Sequence, residues 1–156
     1  TTDAITPATR NAAPHAQPYR FNPILLGLAW PPDAINPRIN LRVKAMFFPE
    51  TVDPTLAADV CPNNESLPHE TARLHAAGLL GPQAREALGY KQVLQHLTGE
   101  ITFEQAYEKT KILTRRFAKQ QRTWLRRFHG VTWLDPIQLN DDQTAAAATN
   151  AILEAR

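Results

Sequence analysis

The 156-residue sequence has a single cysteine, Cys61, so it cannot close an internal disulfide, which suits a reducing compartment. It has no long apolar run: the longest, residues 24–30 (ILLGLAW), is seven residues against the roughly 20 that a membrane-spanning helix needs. No signal-peptide pattern precedes that run, and a cytoplasmic protein without a membrane partner is expected. The five histidines, at 15, 69, 75, 96 and 129, are scattered, and no Cys or His pair has zinc-ligand spacing. Six glycines stand at 27, 78, 81, 89, 99 and 130, and none is followed by lysine. That excludes the phosphate-cradling pattern G-x-x-x-x-G-K-[ST] from this sequence.

The scarcity that says most is local. Residues 109–127 contain no Asp or Glu but eight of the seventeen Lys and Arg, in a chain whose formal net charge is only +2. These cations fall in a stretch, residues 102–128, that reads as one long helix. Thr102 followed by Gln105 is a capping-box start, and neither Gly nor Pro interrupts before Gly130. Phe103, Ala106, Tyr107, Thr110, Leu113, Phe117, Trp124 and Phe128 recur at helical spacing and form a stripe to bury. Arg115, Lys119, Arg122 and Arg126 form a second stripe at i, i+4, i+7 and i+11. Like charges one turn apart repel by about 0.2–0.5 kcal/mol. A stripe with no acid to offset this is either a solvated face or one that meets a polyanion such as a nucleic-acid backbone.

The letters of that stretch carry more than its charge. R-R-F-A-K-Q-Q-R-T-W-L-R (residues 115–126) is preceded by A-L-G-Y-K-Q (87–92) and L-T-G-E-I-T (97–102) and followed by V-T-W-L-D (131–135). In this order, over residues 19–135, the motifs resemble the C-terminal half of the tRNA dimethylallyltransferases. The resemblance implies a mainly α chain with one or two strands, the C-terminal part of a P-loop-kinase-like α/β enzyme that binds nucleotide-type phosphates. It implies transfer of dimethylallyl from its diphosphate to N6 of the adenosine 3′ of the anticodon, position 37. Members of the family begin with a P-loop domain that grips the diphosphate and supplies the acid that activates the amine. Neither is found here. The expectation is therefore a fragment with the P-loop half absent: the tRNA-binding and substrate-completing half, inactive by itself. Mg²⁺ is implied, with its ligands in the missing half. The implied partners are the tRNA anticodon stem-loop and dimethylallyl diphosphate, and the full-length enzyme is expected to be a monomer. The alternatives are a non-catalytic RNA-binding module and a helical protein-interaction adaptor.

The resemblance also assigns residues. R-I-N-L-R-V at 38–43 places Arg38 and Arg42 near the diphosphate, where permanently charged guanidinium forks suit phosphate oxygens. Gly89, Tyr90 and Lys91 are expected to face the anticodon stem-loop. The tRNA-binding stretch 119–126 contributes Lys119, Arg122 and Arg126 to phosphates, with Gln120, Gln121 and Thr123 beside them. The common family pattern there is K-R-Q. This chain has Lys119-Gln120-Gln121, so Arg122 is the candidate replacement cation. Trp124 belongs to the same set, yet its place on the apolar stripe points first to core packing.

Five segments are expected. Residues 1–18, rich in Ala, Thr and Pro, read as a flexible lead-in. Residues 19–48 hold a strand buried on both faces (19–30) and a helix, together completing the P-loop-type domain. Asn36 is expected to cap that helix with Pro37 in its first turn, and Ile39, Val43, Met46 and Phe47 to face inward. Residues 49–66, with Pro49, Pro54, Pro62 and Asn63-Asn64, read as a loop insertion. Residues 67–135 form the helical tRNA-binding region: a helix from Pro68 to Ala77 stopped by Gly78, another over 83–97 with Gly89 inside it, the long helix, and a short strand at 131–135. Gly89 inside a helix would cost about 1 kcal/mol relative to Ala. The helices from Pro68 on are expected to stay folded without what precedes them. Residues 136–156 are a C-terminal tail.

Overall fold

The computed structural model describes residues 23–154 apart from Pro62 and Asn140. The expected lead-in and the first residues of the 19–30 run lie outside the described residues. The chain divides into two compact units. One is residues 32–120; the other joins residues 23–31 to the described residues from 121 to 154. The strand and helix grouped together as 19–48 therefore fall in different units, as do the two ends of the 67–135 region.

The smaller unit is built on two strands, β1 (Leu25–Leu28) and β2 (Val131–Leu134), paired in parallel with Leu25 opposite Val131 and Leu28 opposite Leu134. Ala29 N–H extends the ladder to the Leu134 carbonyl at 2.8 Å. Gly27 is required by its neighbour: a Cβ there would stand 2.6 Å from Cζ3 of the Trp133 ring. Helix α7 (Asp141–Glu154) packs on β2. The strand expected to be buried on both faces is not. Ile24, Leu26 and Leu28 are exposed, because among the described residues only β2 lies beside β1.

The larger unit is helical: α1 (Pro32–Phe47), a 3₁₀ turn (Pro49–Thr51), α2 (Pro54–Val60), α3 (Leu67–Ala76), α4 (Pro82–Glu86), α5 (Tyr90–Leu97) and most of α6 (Phe103–Leu125). Its core gathers Val43 and Phe47 of α1, Leu67 of α3, Val93 of α5 and Ala106 of α6, all at most 5% exposed. Ile39 and Met46 pack against this group as expected. Thr71 and Thr110 are wholly buried, and each hydroxyl donates to the carbonyl one turn back, Leu67 and Ala106, at 2.6 and 2.8 Å. That removes the cost of burying an unpaired hydroxyl.

Four expectations are corrected. Helix α1 starts at Pro32 rather than after Asn36, so Pro37 sits in its second turn, where it forgoes one helical hydrogen bond. The stretch 49–66 is not simply loop. The Asp53 side chain accepts from the amides of Thr55 and Leu56, Pro54 takes the first helical position, and α2 buries Ala57. A proline read as a breaker is here a starter. The predicted 83–97 helix is broken. Residues 87–89 leave the helical path, Gly89 has φ of 99°, and Leu88 is exposed. Gly89 is also buried, and a Cβ on it would lie 3.0 Å from Leu67 Cδ2, so it serves a backbone turn pressed against α3. Finally, the helices from Pro68 on do not form a core alone, since α1 supplies Val43 and Phe47 to it.

This last point is testable. A chain beginning at Pro32 is expected to melt cooperatively by circular dichroism, and one beginning at Pro68 to lose that transition. A sharp melt for the shorter chain would show that Val43 and Phe47 are dispensable.

Candidate nucleic-acid interface

Helix α6 carries the cation stripe, and its start is fixed by the reciprocal pair seen in the sequence. Thr102 N–H donates to Gln105 Oε1 at 2.9 Å and Gln105 N–H donates to Thr102 Oγ1 at 3.2 Å. The first turns are tied into the core. Tyr107 rests against Phe47 and Phe48 with ring centroids 5.4 and 5.2 Å apart, and Phe103 packs against the same two rings at 5.8 and 5.6 Å. Lys111 lies over the Tyr107 ring at 4.4 Å and pairs with Glu108, the last acid before the basic run.

Beyond this point the helix changes character. Lys119 and Arg126 are exposed, and so are Gln120, Gln121 and Thr123. Arg122 is half-buried and donates from Nη1 to the Trp30 carbonyl, at 3.4 Å, just after β1. The apolar stripe is not covered here. Phe117 is 53% exposed and Trp124 56%, and the indole meets the Phe128 ring edge-on at 4.7 Å. Core packing was the first expectation for Trp124. The exposure of the indole goes against it. The sequence stripe marks an apolar face correctly; whether that face is covered depends on tertiary neighbours that periodicity does not reveal. Exposed aromatics beside a row of cations can stack on bases while the charges track a backbone.

The G-Y-K-Q motif forms the turn into α5, and its four residues divide the work. Gly89 provides the left-handed turn. Gln92, only 4% exposed and not singled out from sequence, reaches back so that its Oε1 accepts the Gly89 N–H at 2.8 Å. Tyr90 is half-buried and its hydroxyl donates to Glu70 Oε1 on α3 at 3.0 Å. Burial, then the bond to this carboxylate, pushes the phenol above its usual range. Lys91 points outward and pairs with Glu86. Glu70 also escaped the sequence reading; only its one-turn spacing from Ser66 and Arg73 on a helical pattern hinted at a facing pair. Next to it, Arg73 clasps Glu65 with two hydrogen bonds of 2.9 and 2.8 Å, which holds the Glu65 carboxyl below the usual carboxylate range.

Arg38 and Arg42 are exposed one turn apart on α1. Among the described residues no three His, Cys, Asp or Glu side chains gather to hold a metal ion, and no helix is long and apolar enough to cross a membrane.

Comparison with known proteins gives this geometry a family. The chain is 36% identical over 147 residues to the tRNA dimethylallyltransferase of Corynebacterium jeikeium, covering 94% of this chain and 41% of that protein. The enzyme of the same name from Salinispora tropica is 37% identical over 125 residues, 80% of this chain and 34% of the relative. The crystal structure of a full-length tRNA isopentenylpyrophosphate transferase from Bacillus halodurans superposes with a TM-score of 0.67 at 29% identity, over 85% of this chain and 38% of that one. A tRNA delta(2)-isopentenylpyrophosphate transferase from Staphylococcus epidermidis gives 0.66 at 26% identity, with the same coverage. The chain thus spans about two fifths of the length of these relatives. The profile of the IPP transferases matches residues 2–128, and with the fold similarity to these structures the chain belongs to the IPP transferase family.

Proposed function

We propose that this chain is the tRNA-binding and substrate-completing part of a tRNA dimethylallyltransferase. The observation that carries the reading is the end of α6, where the half-buried Arg122 and an uncovered Trp124 lie, with the exposed Arg126 directly after the helix and the exposed Lys119 before them in the chain, all within the family match. The cations suit the phosphates of an anticodon stem-loop, and the indole suits a splayed base. The adenosine next to the anticodon must leave its stack before its exocyclic amine can react. A surface that holds the stem by its backbone and offers an aromatic plane favours that state.

The reaction supported by the family is displacement of diphosphate from dimethylallyl diphosphate by N6 of the adenosine. The new C–N bond forms as the C–O bond to diphosphate breaks, and the amine proton passes to a base. Arg38 and Arg42, exposed and one turn apart, are our candidates to neutralise the departing diphosphate. Mg²⁺, when bound, would share that charge. No described group of residues fits a metal site, so none is assigned to it here. The sequence also holds no G-x-x-x-x-G-K-[ST] pattern. For that reason the chain incubated alone with dimethylallyl diphosphate, Mg²⁺ and unmodified tRNA is expected to transfer no prenyl group. Radiolabelled product above the blank would mean that other residues of this chain grip the diphosphate.

Binding gives a sharper test. Lys119→Ala is expected to weaken binding of an anticodon stem-loop and to lower the slope of log K against log salt by about 0.7–0.9, one phosphate contact. Trp124→Ala is expected to cost about 1–3 kcal/mol of RNA binding, the usual worth of one stacked base, with the melting temperature nearly unchanged because the ring is exposed. A lowered melting temperature with intact RNA binding would return Trp124 to a packing role.

A further inference from the structure

The G-Y-K-Q turn raises a question that its sequence does not. Of its four residues, Gly89 is spent on the backbone turn against Leu67, Gln92 on capping Gly89, and the Tyr90 hydroxyl on Glu70. Lys91 is the residue whose polar group faces outward, its side chain 47% exposed. A tyrosine hydroxyl committed to a carboxylate on another helix is poorly placed to serve as an RNA contact. The same commitment makes it a good strut.

We propose that Glu70 is a positioning residue for RNA recognition. Through Tyr90 it fixes the first turn of α5 on α3, so that Lys91 is presented to a phosphate of the RNA. This rests on the RNA-binding reading above. The geometry supports it at three points. Tyr90 is the first residue of α5, so holding its hydroxyl at 3.0 Å holds the end of the helix that leads into Lys91. Gly89, immediately before it, is buried close against α3: a Cβ on it would stand 3.0 Å from Leu67 Cδ2. Arg73, which clasps Glu65 just before α3, lies on the same helix as Glu70, one turn further on. Lys91 also pairs with Glu86, exposed on α4, an ion pair weak enough for a phosphate to replace.

The sign of one substitution separates positioning from plain charge. Glu70 is an anion on a protein proposed to bind a polyanion, so by charge alone Glu70→Ala should tighten binding. By positioning it should weaken it. The experiment is a fluorescence-anisotropy titration of a labelled anticodon stem-loop RNA with the full chain at two salt concentrations. Glu70→Ala and Tyr90→Phe are each expected to lose about three- to tenfold in affinity, the range for one hydrogen bond. Glu70→Gln is expected to restore most of it, because the amide oxygen accepts the same bond. Neither loss should add to that of Lys91→Ala, since all act through one contact. Should Glu70→Ala fail to fold, Tyr90→Phe, which removes only an oxygen, carries the test. Unchanged or tighter binding in Tyr90→Phe and Glu70→Ala, or losses that add fully to Lys91→Ala, would overturn the proposal. If wild type binds RNA and responds to Lys119→Ala but to neither strut variant, this proposal alone falls. If wild type does not bind RNA at all, the functional reading falls and takes this one with it.

Discussion

The larger unit depends on the burial of Phe47. Its ring is 3% exposed and meets Phe48, Phe103 and Tyr107, so one side chain at the end of α1 joins the start of α6 to the rest of the core. Truncating a buried phenylalanine typically costs about 3–5 kcal/mol, a large part of the stability of any small domain. The aromatic contacts are tilted or edge-on, the arrangement that ring quadrupoles favour. Everything proposed for α6 follows from this anchor. The helix is held at its first turns, and on its later turns Lys119 and Trp124 are exposed while Arg122 is half-buried against the Trp30 carbonyl.

That division explains a helix that would be improbable as an isolated peptide. Its cations repel one another, and α6 is a weak apolar ladder beyond Leu113. Three effects offset this: the capping box at Thr102, the aromatic packing of Phe103 and Tyr107, and the position of the cations toward the C-terminal end, where the helix dipole favours positive charge. Stability is concentrated at one end and recognition at the other.

Much of this was legible in the residues. Thr102 and Gln105 marked a helix start that both hydrogen bonds realise, Gly78 follows the end of α3, and V-T-W-L does form a strand. These are local signals, read from a few neighbouring letters. What the sequence hid was tertiary. Asp53-Pro54 looks the same whether it begins a helix or a loop; the difference is whether Ala57 and the Cys61 that follows find a core to enter. Gly89 looked like a costly helix interior and is instead a turn whose reason, Leu67, lies on another helix. Trp124 sits on a true apolar stripe, but exposure is set by what packs there and not by period. The G-Y-K-Q motif was legible as a motif, whereas its division into three struts and one pointer needed the partners Glu70 and Leu67.

The placement of the aromatic residues has a practical side. All three tryptophans, Trp30, Trp124 and Trp133, belong to the smaller unit, while Tyr90 and Tyr107 belong to the larger one. Trp133 lies over Gly27 and Trp124 against Phe128. Indole emission excited at the red edge therefore reports on the strand pair and the end of α6. The chain carries a built-in optical channel for the smaller unit, whose unfolding can be watched without attaching a label.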